Sequence, residues 1–208
     1  PVYEGYCIRD AVRRVDFGGR DVTAYLRTLL RQYGMYFDTS AEFDIVRTIK
    51  EQKCQISVST PSKEGSLKVK HRLPDGSDIV LGSELTQAGE LLFNPSLIGR
   101  EHGGAAVLVS DSIKLADMDV RRELYQNILL AGGSSAMNGF CPRFLSEMTR
   151  MTPRDCKVRV LAPGDRHLTA WIGGSFLSQL STFKQMTVKK SDYNEHGENI
   201  LHSRVFCQ

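Results

Sequence analysis

Residues 128 to 140, ILLAGGSSAMNGF, place three apolar residues before two glycines and two hydroxyl residues. Ile128, Leu129 and Leu130 fit a short strand covered on both faces. Gly132 and Gly133 then allow a tight turn and close approach of a ligand to the main chain. Ser134 and Ser135 add donors, and a helix is expected to begin near Gly139 to Pro142, an arrangement that suits a nucleotide phosphate. The same spacing also describes a strand that turns at Gly-Gly and holds nothing, and spacing alone favours that reading.

A second constellation is Arg47, Lys50 and Glu51, at i, i+3 and i+4 of an expected helix and therefore on one face. Two cations and a carboxylate there could address the base, ribose and phosphate of a nucleotide, with Glu51 accepting from ribose hydroxyls. A solvated face with an internal ion pair is the alternative, and the pattern favours it. The five histidines show no HxxxH or HExxH spacing, so no metal site is expected from them.

The elements that must position these groups follow from periodicity. Strands are expected at Val2 to Ile8 and Val12 to Asp16. A helix capped by Asp21 carries Val22, Tyr25, Leu26, Leu29, Leu30 and Tyr33 at helical spacing until Gly34. Thr39 and Glu42 form a capping box for a second helix reaching about Gln52. Strands at Ile56 to Ser59 and Leu67 to Arg72 precede a Pro74-Asp75-Gly76 turn into Ile79 to Leu81. Helices are expected near Ala105 to Lys114, Val120 to Asn127 and Phe140 to Met151, with a strand at Val158 to Leu161. A long last helix runs from Trp171 through Phe183.

The 208 residues suffice for one large or two small domains. Hydrophobic residues at 41% and charged residues at 25% fit an ordinary globular protein, and no apolar run nears the ~20 residues of a membrane span. The five cysteines are scattered without a CxxC pair, which suggests reduced thiols in the cytosol or nucleus. A net charge of +3 is too small to imply nucleic acid, and Lys63, Lys68, Lys70, His71 and Arg72 are expected on a solvated hairpin face. An opening at Pro1, with no leader pattern, suggests a piece of a longer protein.

In order, PVYEGY, GGRDVTAYL, IVRTIKE, LPDG, FNPSLIG, DMDVRRELYQNILLAGG and WIGGSFLSQLSTFKQM resemble the actin family along essentially the whole chain. The resemblance implies an α/β, actin-like ATPase fold of the hexokinase and chaperone-ATPase type (ribonuclease-H-like), here its second half with a smaller inserted lobe. Residues 1–17 and 101–168 would form subdomain 3, residues 18–100 subdomain 4, and residues 169–208 the C-terminal part of subdomain 1. ATP or ADP with Mg2+ would lie between two lobes, with Gly19, Arg47, Lys50 and Glu51 on the adenosine side and Gly132, Gly133 and Ser134 on the phosphate side. Ala136 and Met137 occupy the adenine-packing segment, where actins carry Met and Tyr, and His167 replaces a typical lysine. These departures imply weaker affinity or altered exchange. The metal would be reached through the nucleotide and the first half, where the parts for phosphoryl transfer lie. The whole protein would be a slow ATPase, while this segment alone is not expected to hydrolyse ATP.

The resemblance also implies assembly surfaces. Tyr3, Tyr6, the Asp117 to Arg121 loop and the Thr152 to Asp155 turn match subunit-stacking regions. Glu90 to Gly99 matches a filament plug with Phe93 and Leu97, although packing beneath the loop is an equal alternative. Gly5, Ile172, Phe176, Leu180 and Met186 match a cleft used by filament neighbours and by regulators that insert a helix. The expected partners are therefore further copies, other actin-family subunits and helical regulators, with no nucleic acid and no membrane. The location expected is cytoplasmic and cytoskeletal, with the nucleus as the alternative. GGRDVTAYLRTLLRQYG and ADMDVRRELYQNILLAGGSS resemble the centractin-type actin-related protein of dynactin more than conventional actin, which stays open as an alternative. A non-polymerising binding module in a large complex is a second function; a small-molecule kinase is a third.

Overall fold

A computed structural model describes residues 1–58 and 68–201. The chain opens with a hairpin of β1 (Val2–Tyr3) and β2 (Tyr6–Cys7), where one longer strand was expected. Glu4 and Gly5 both have positive φ, 49° and 86°, so the chain reverses in a two-residue turn. The expected strand at Val12 to Asp16 does not form. A 3-10 turn at Arg9–Ala11 buries Ala11, and Ser112 Oγ donates to its carbonyl at 2.5 Å, holding the segment without a ladder.

Two amphipathic helices build the first half of the core. α1 (Gly19–Gln32) buries Val22, Leu26, Leu29 and Leu30 and stops where Gly34 takes φ 81°. Its cap lies at Gly18 rather than Asp21; the Asp21 carboxylate, in the first turn, accepts from the Gly18 amide at 2.9 Å. α2 (Ser40–Lys53) has the expected capping box, in which Thr39 Oγ1 accepts from Glu42 N at 3.2 Å and Glu42 Oε2 accepts from Thr39 N at 2.8 Å. The antiparallel hairpin of β3 (Val69–Arg72) and β4 (Asp78–Leu81) follows, with Lys70 and Arg72 exposed and Leu81 buried. The expected Ile56 to Ser59 strand reduces to a single bridge of Gln55 to Asn138, and its last residue, Leu67 and Lys63 lie outside the described residues. A helix not expected from the sequence, α3 (Glu84–Glu90), packs on α1 through Leu85 and Ala88.

The second half groups α4 (Ala105–Leu115), α5 (Met118–Gln126), the strand β5 (Ile128–Leu129), α6 (Phe140–Met151) and β6 (Val160–Leu161). β5 and β6 pair in parallel, Ile128 with Val160 and Leu129 with Leu161. The strand is not covered on both faces: Ile128 and Leu130 are buried while Leu129 is 55% exposed. One continuous core nevertheless joins the halves, running from Leu26 and Ile49 through Leu91 and Phe93 to Phe140, Phe144 and Met148. The expected long last helix, Trp171 through Phe183, is broken between α7 (Thr169–Gln179) and α8 (Phe183–Met186), and a further short helix, α9 (Lys190–His196), follows it. Leu180 is extended at ψ 140° and ends α7 before the Ser181-Thr182 pair, whose hydroxyls compete with helical bonding. No residue of α7 is buried, and its chief neighbour is α8, so no packing drives the helix further.

Candidate functional site

A cleft of about 510 Å³ lies between the start of α1, the last turn of α2 and the turn after β5. Gly19, Lys50, Glu51, Gly133, Ser134, Ala136, Met137 and His167 line it, so two separate sequence constellations meet in one cavity. Arg20 and Val22 complete the lining, and sequence reasoning missed both. Arg20 had a signal, a cation next to the glycine that opens the helix.

One wall is set by the crossing of α1 and α2. The capping box fixes where α2 starts, and ten residues on, Lys50 reaches the N-terminal end of α1. Its Nζ donates to the Gly19 carbonyl at 3.1 Å. Burial lowers the Lys50 pKa from its ordinary value; Glu51 and then Cys54 oppose this, and Arg47 adds to it. Beneath, Cys54 is buried and desolvation pushes its thiol up to about 12, so it is a neutral packing group. Gly19 is crowded: a Cβ there would stand 2.8 Å from Ser134 Oγ and 3.4 Å from Lys50 Nζ.

The opposite wall is the glycine turn. Gly132 takes φ 91° and ψ 151°, a conformation for which glycine is suited, and Gly133–Ala136 then form a 3-10 turn. Ser135 Oγ donates to the Gly132 carbonyl at 2.7 Å, closing the turn on itself. Gly132 itself does not line the cleft; its amide donates to the Arg166 carbonyl at 2.8 Å. Met137 supplies apolar surface, backed by Gly89, where a Cβ would come within 3.1 Å of the Met137 sulfur.

Arg47 is outside the cleft lining. It forms surface ion pairs with Asp44 at 3.3 Å and Glu51 at 3.9 Å, as the solvated-face alternative describes. Two cations, Arg20 and Lys50, a carboxylate, a hydroxyl, a glycine-rich turn and a thioether share the remaining cavity, a donor set that fits a polyanionic ligand with a flat apolar part. Among the described residues no cluster of three His, Cys, Asp or Glu could hold a metal ion by itself.

The candidate assembly residues are dispersed over the surface. Tyr6 is 71% exposed, Tyr3 is half-buried and Gly5 forms the tip of the first hairpin. Asp117 is exposed before α5, and Arg121 Nε donates to the Ala116 carbonyl at 2.8 Å, fixing that loop. In the apolar loop Leu97 is exposed, but Phe93 is buried, 5.2 Å from the Phe140 ring and beneath the Arg143 guanidinium at 5.1 Å. Phe93 therefore presents no surface in this fold. On and after α7, Phe176 and Leu180 are exposed while Ile172 and Met186 are half-buried.

Sequence reasoning also missed the buried junction at Arg143. This guanidinium donates to Glu90 at 2.6 and 3.1 Å, to Glu147 at 2.6 Å and to the Ser57 carbonyl at 2.9 Å. Burial would lower its pKa, but bonds and charge from Glu90 and Glu147 raise it, so it is a permanent cation. A cation interrupting the apolar face of Phe140, Phe144 and Met148 was the available signal.

Comparison with known proteins places this geometry in context. The family model described as Actin matches residues 1–206. A curated Neurospora crassa protein described as "Actin-like protein" is 42% identical over 214 residues, covering 98% of this chain and 56% of that protein. The chain thus spans about half the length of that relative.

Proposed function

This chain belongs to the actin family, with the mixed α/β fold of its ATPases, and from that premise we propose that it contributes one jaw of an adenine-nucleotide clamp. The observation that carries the reading is the shared cleft, in which Lys50 and Glu51 from one helix face Ser134 and Met137 from the glycine turn. ATP or ADP would lie there with its base against Met137 and Ala136, its ribose toward Glu51 and its phosphates at Gly133 and Ser134, the two residues of the glycine turn that line the cleft. Mg2+ would be bound through the phosphates and neutralise their charge. His167 in the lining supplies no fixed charge, so nucleotide is held less tightly than by a site with lysine there.

The whole protein is further proposed to act as an actin-related cytoskeletal subunit that self-assembles or joins other actin-family subunits in the cytoplasm. The centractin-like strings support assembly into a short dynactin-like filament. Exposed Tyr6, Asp117 and Leu97 offer contact groups, and the apolar residues Phe176 and Leu180 suit a neighbouring subunit or a helical regulator. Among the described residues no helix is long and apolar enough to cross a membrane. The test is to purify the full-length protein, release its bound small molecules by denaturation, and sediment it in Mg-ATP. Near-equimolar adenine nucleotide with pelleting oligomers is expected. Nucleotide-free protein that stays monomeric at high concentration would overturn the reading.

A further inference from the structure

Arg166 lies outside the cleft lining yet holds both pieces of the wall beside it. Its carbonyl accepts from the Gly132 amide at 2.8 Å, tying down the residue that begins the turn. Its Nε donates to the Ser135 carbonyl at 3.0 Å, tying down the far side of the same turn. Its Nη1 donates to the Pro163 carbonyl at 2.9 Å, which closes its own loop and carries the next residue, His167, to the cleft. The turn also closes on itself: Ser135 N at 3.2 Å and Ser135 Oγ at 2.7 Å both donate to the Gly132 carbonyl, and Met137 N donates to the Ser134 carbonyl at 3.4 Å. From outside the turn, one side chain and its own carbonyl therefore brace both ends of the segment that presents Gly133 and Ser134 opposite Lys50.

We propose that Arg166 is a positioning residue that sets the Gly132 to Ser135 turn for the phosphate groups of a nucleoside di- or triphosphate. The inference rests on the nucleotide reading above and adds which residue shapes the phosphate side. Arg166 acts through Ser135 and Gly132, so its removal should weaken contacts to phosphates and leave those to the nucleoside intact. Its charge is a competing explanation, because any nearby cation would favour a polyphosphate. Lysine separates the two: Arg166→Lys keeps the charge and the main-chain bond from Gly132 but loses the fixed Nε donor and the planar fork.

The experiment measures dissociation constants of adenosine, AMP, ADP and ATP, with Mg2+, for the full-length protein and its R166K and R166Q forms, alongside urea unfolding midpoints. For R166K, ADP and ATP should bind about three- to tenfold more weakly, the size of one lost hydrogen bond, with adenosine changed less than twofold. R166Q should show the same pattern at larger amplitude. If R166K binds ADP and ATP as the parent does, or loses adenosine in the same proportion, the positioning role is overturned while the nucleotide reading stands. If the parent binds no adenine nucleotide, both fall together. Should R166Q fail to fold, R166K alone carries the test.

Discussion

Lys50 Nζ donates to the carbonyl of Gly19 at 3.1 Å, and Ser134 Oγ would be 2.8 Å from a Cβ built on that same glycine. Gly19 is thus a point at which groups from both walls of the cleft converge. A side chain there would make the Ser134 hydroxyl from the far wall give way, with the Lys50 ammonium from the near wall at 3.4 Å.

Gly19→Ala should therefore be destabilising through Ser134, and the effect should vanish when Ser134 is trimmed. In urea unfolding, G19A is expected to lose about 1 kcal/mol, and G19A combined with S134A to lose little beyond S134A alone. Additive losses would mean the contact between walls is not the cause.

Arg143 and Glu90 are each about a tenth exposed, with side-chain values of 10% and 12%, and bond at 2.6 Å. Arg143→Met would leave the Glu90 carboxylate buried without its cation. The expected loss is about 3–5 kcal/mol in denaturant, whereas R143M with Glu90→Leu should recover much of it. A loss below about 1 kcal/mol for R143M would show that Glu90 is solvated in solution.

Glu42 caps α2 from the protein surface, and bonds from Thr39 N, Thr39 Oγ1 and Asp38 N lower its pKa below the ordinary 4.5. Because the folded carboxylate holds its charge more strongly than the unfolded one, its contribution is complete above the unfolded pKa. It is lost as pH falls through the lowered folded value. The parent should be more stable than Glu42→Gln at neutral pH, with the gap closing in acid below about pH 4.5. A gap that stays constant across that window would exclude the carboxylate as the source.

Gly139 has φ 83°, and a Cβ there would run into the Ile56 carbonyl. Both the backbone conformation and the contact oppose any side chain. Gly139→Ala is expected to cost about 3 kcal/mol or more, measured by chemical denaturation.

The helices with long apolar stripes were legible because periodicity and caps are local: α1, α2, α4 and α6 stand within a few residues of expectation. α3 was not, since ELTQAGE is short and holds a threonine and a glycine; its helicity comes from Leu85 and Ala88 packing on α1, a tertiary cause. Strands were overestimated at Val12 to Asp16 and over the described part of Ile56 to Ser59, where none forms, because an extended apolar run implies a ladder only when a partner strand lies beside it. In the site, the sequence motifs marked Lys50, Glu51 and Ser134. The roles of Arg166 and Arg143 depend on carbonyls and carboxylates distant in the chain, and no spacing encodes them.

The central claim is that Lys50 and the glycine turn act on one adenine nucleotide, and a calorimetric titration of Mg-ATP into the full-length protein and its K50M form tests it most directly. Lys50 places a half-buried ammonium in the cleft lining, so its loss should weaken ATP by at least tenfold, about 1.5–3 kcal/mol for a bond to a charged group. Binding to the parent at micromolar or tighter affinity, weakened in K50M, is the predicted result. No binding to the parent, or equal binding by both forms, would contradict the account.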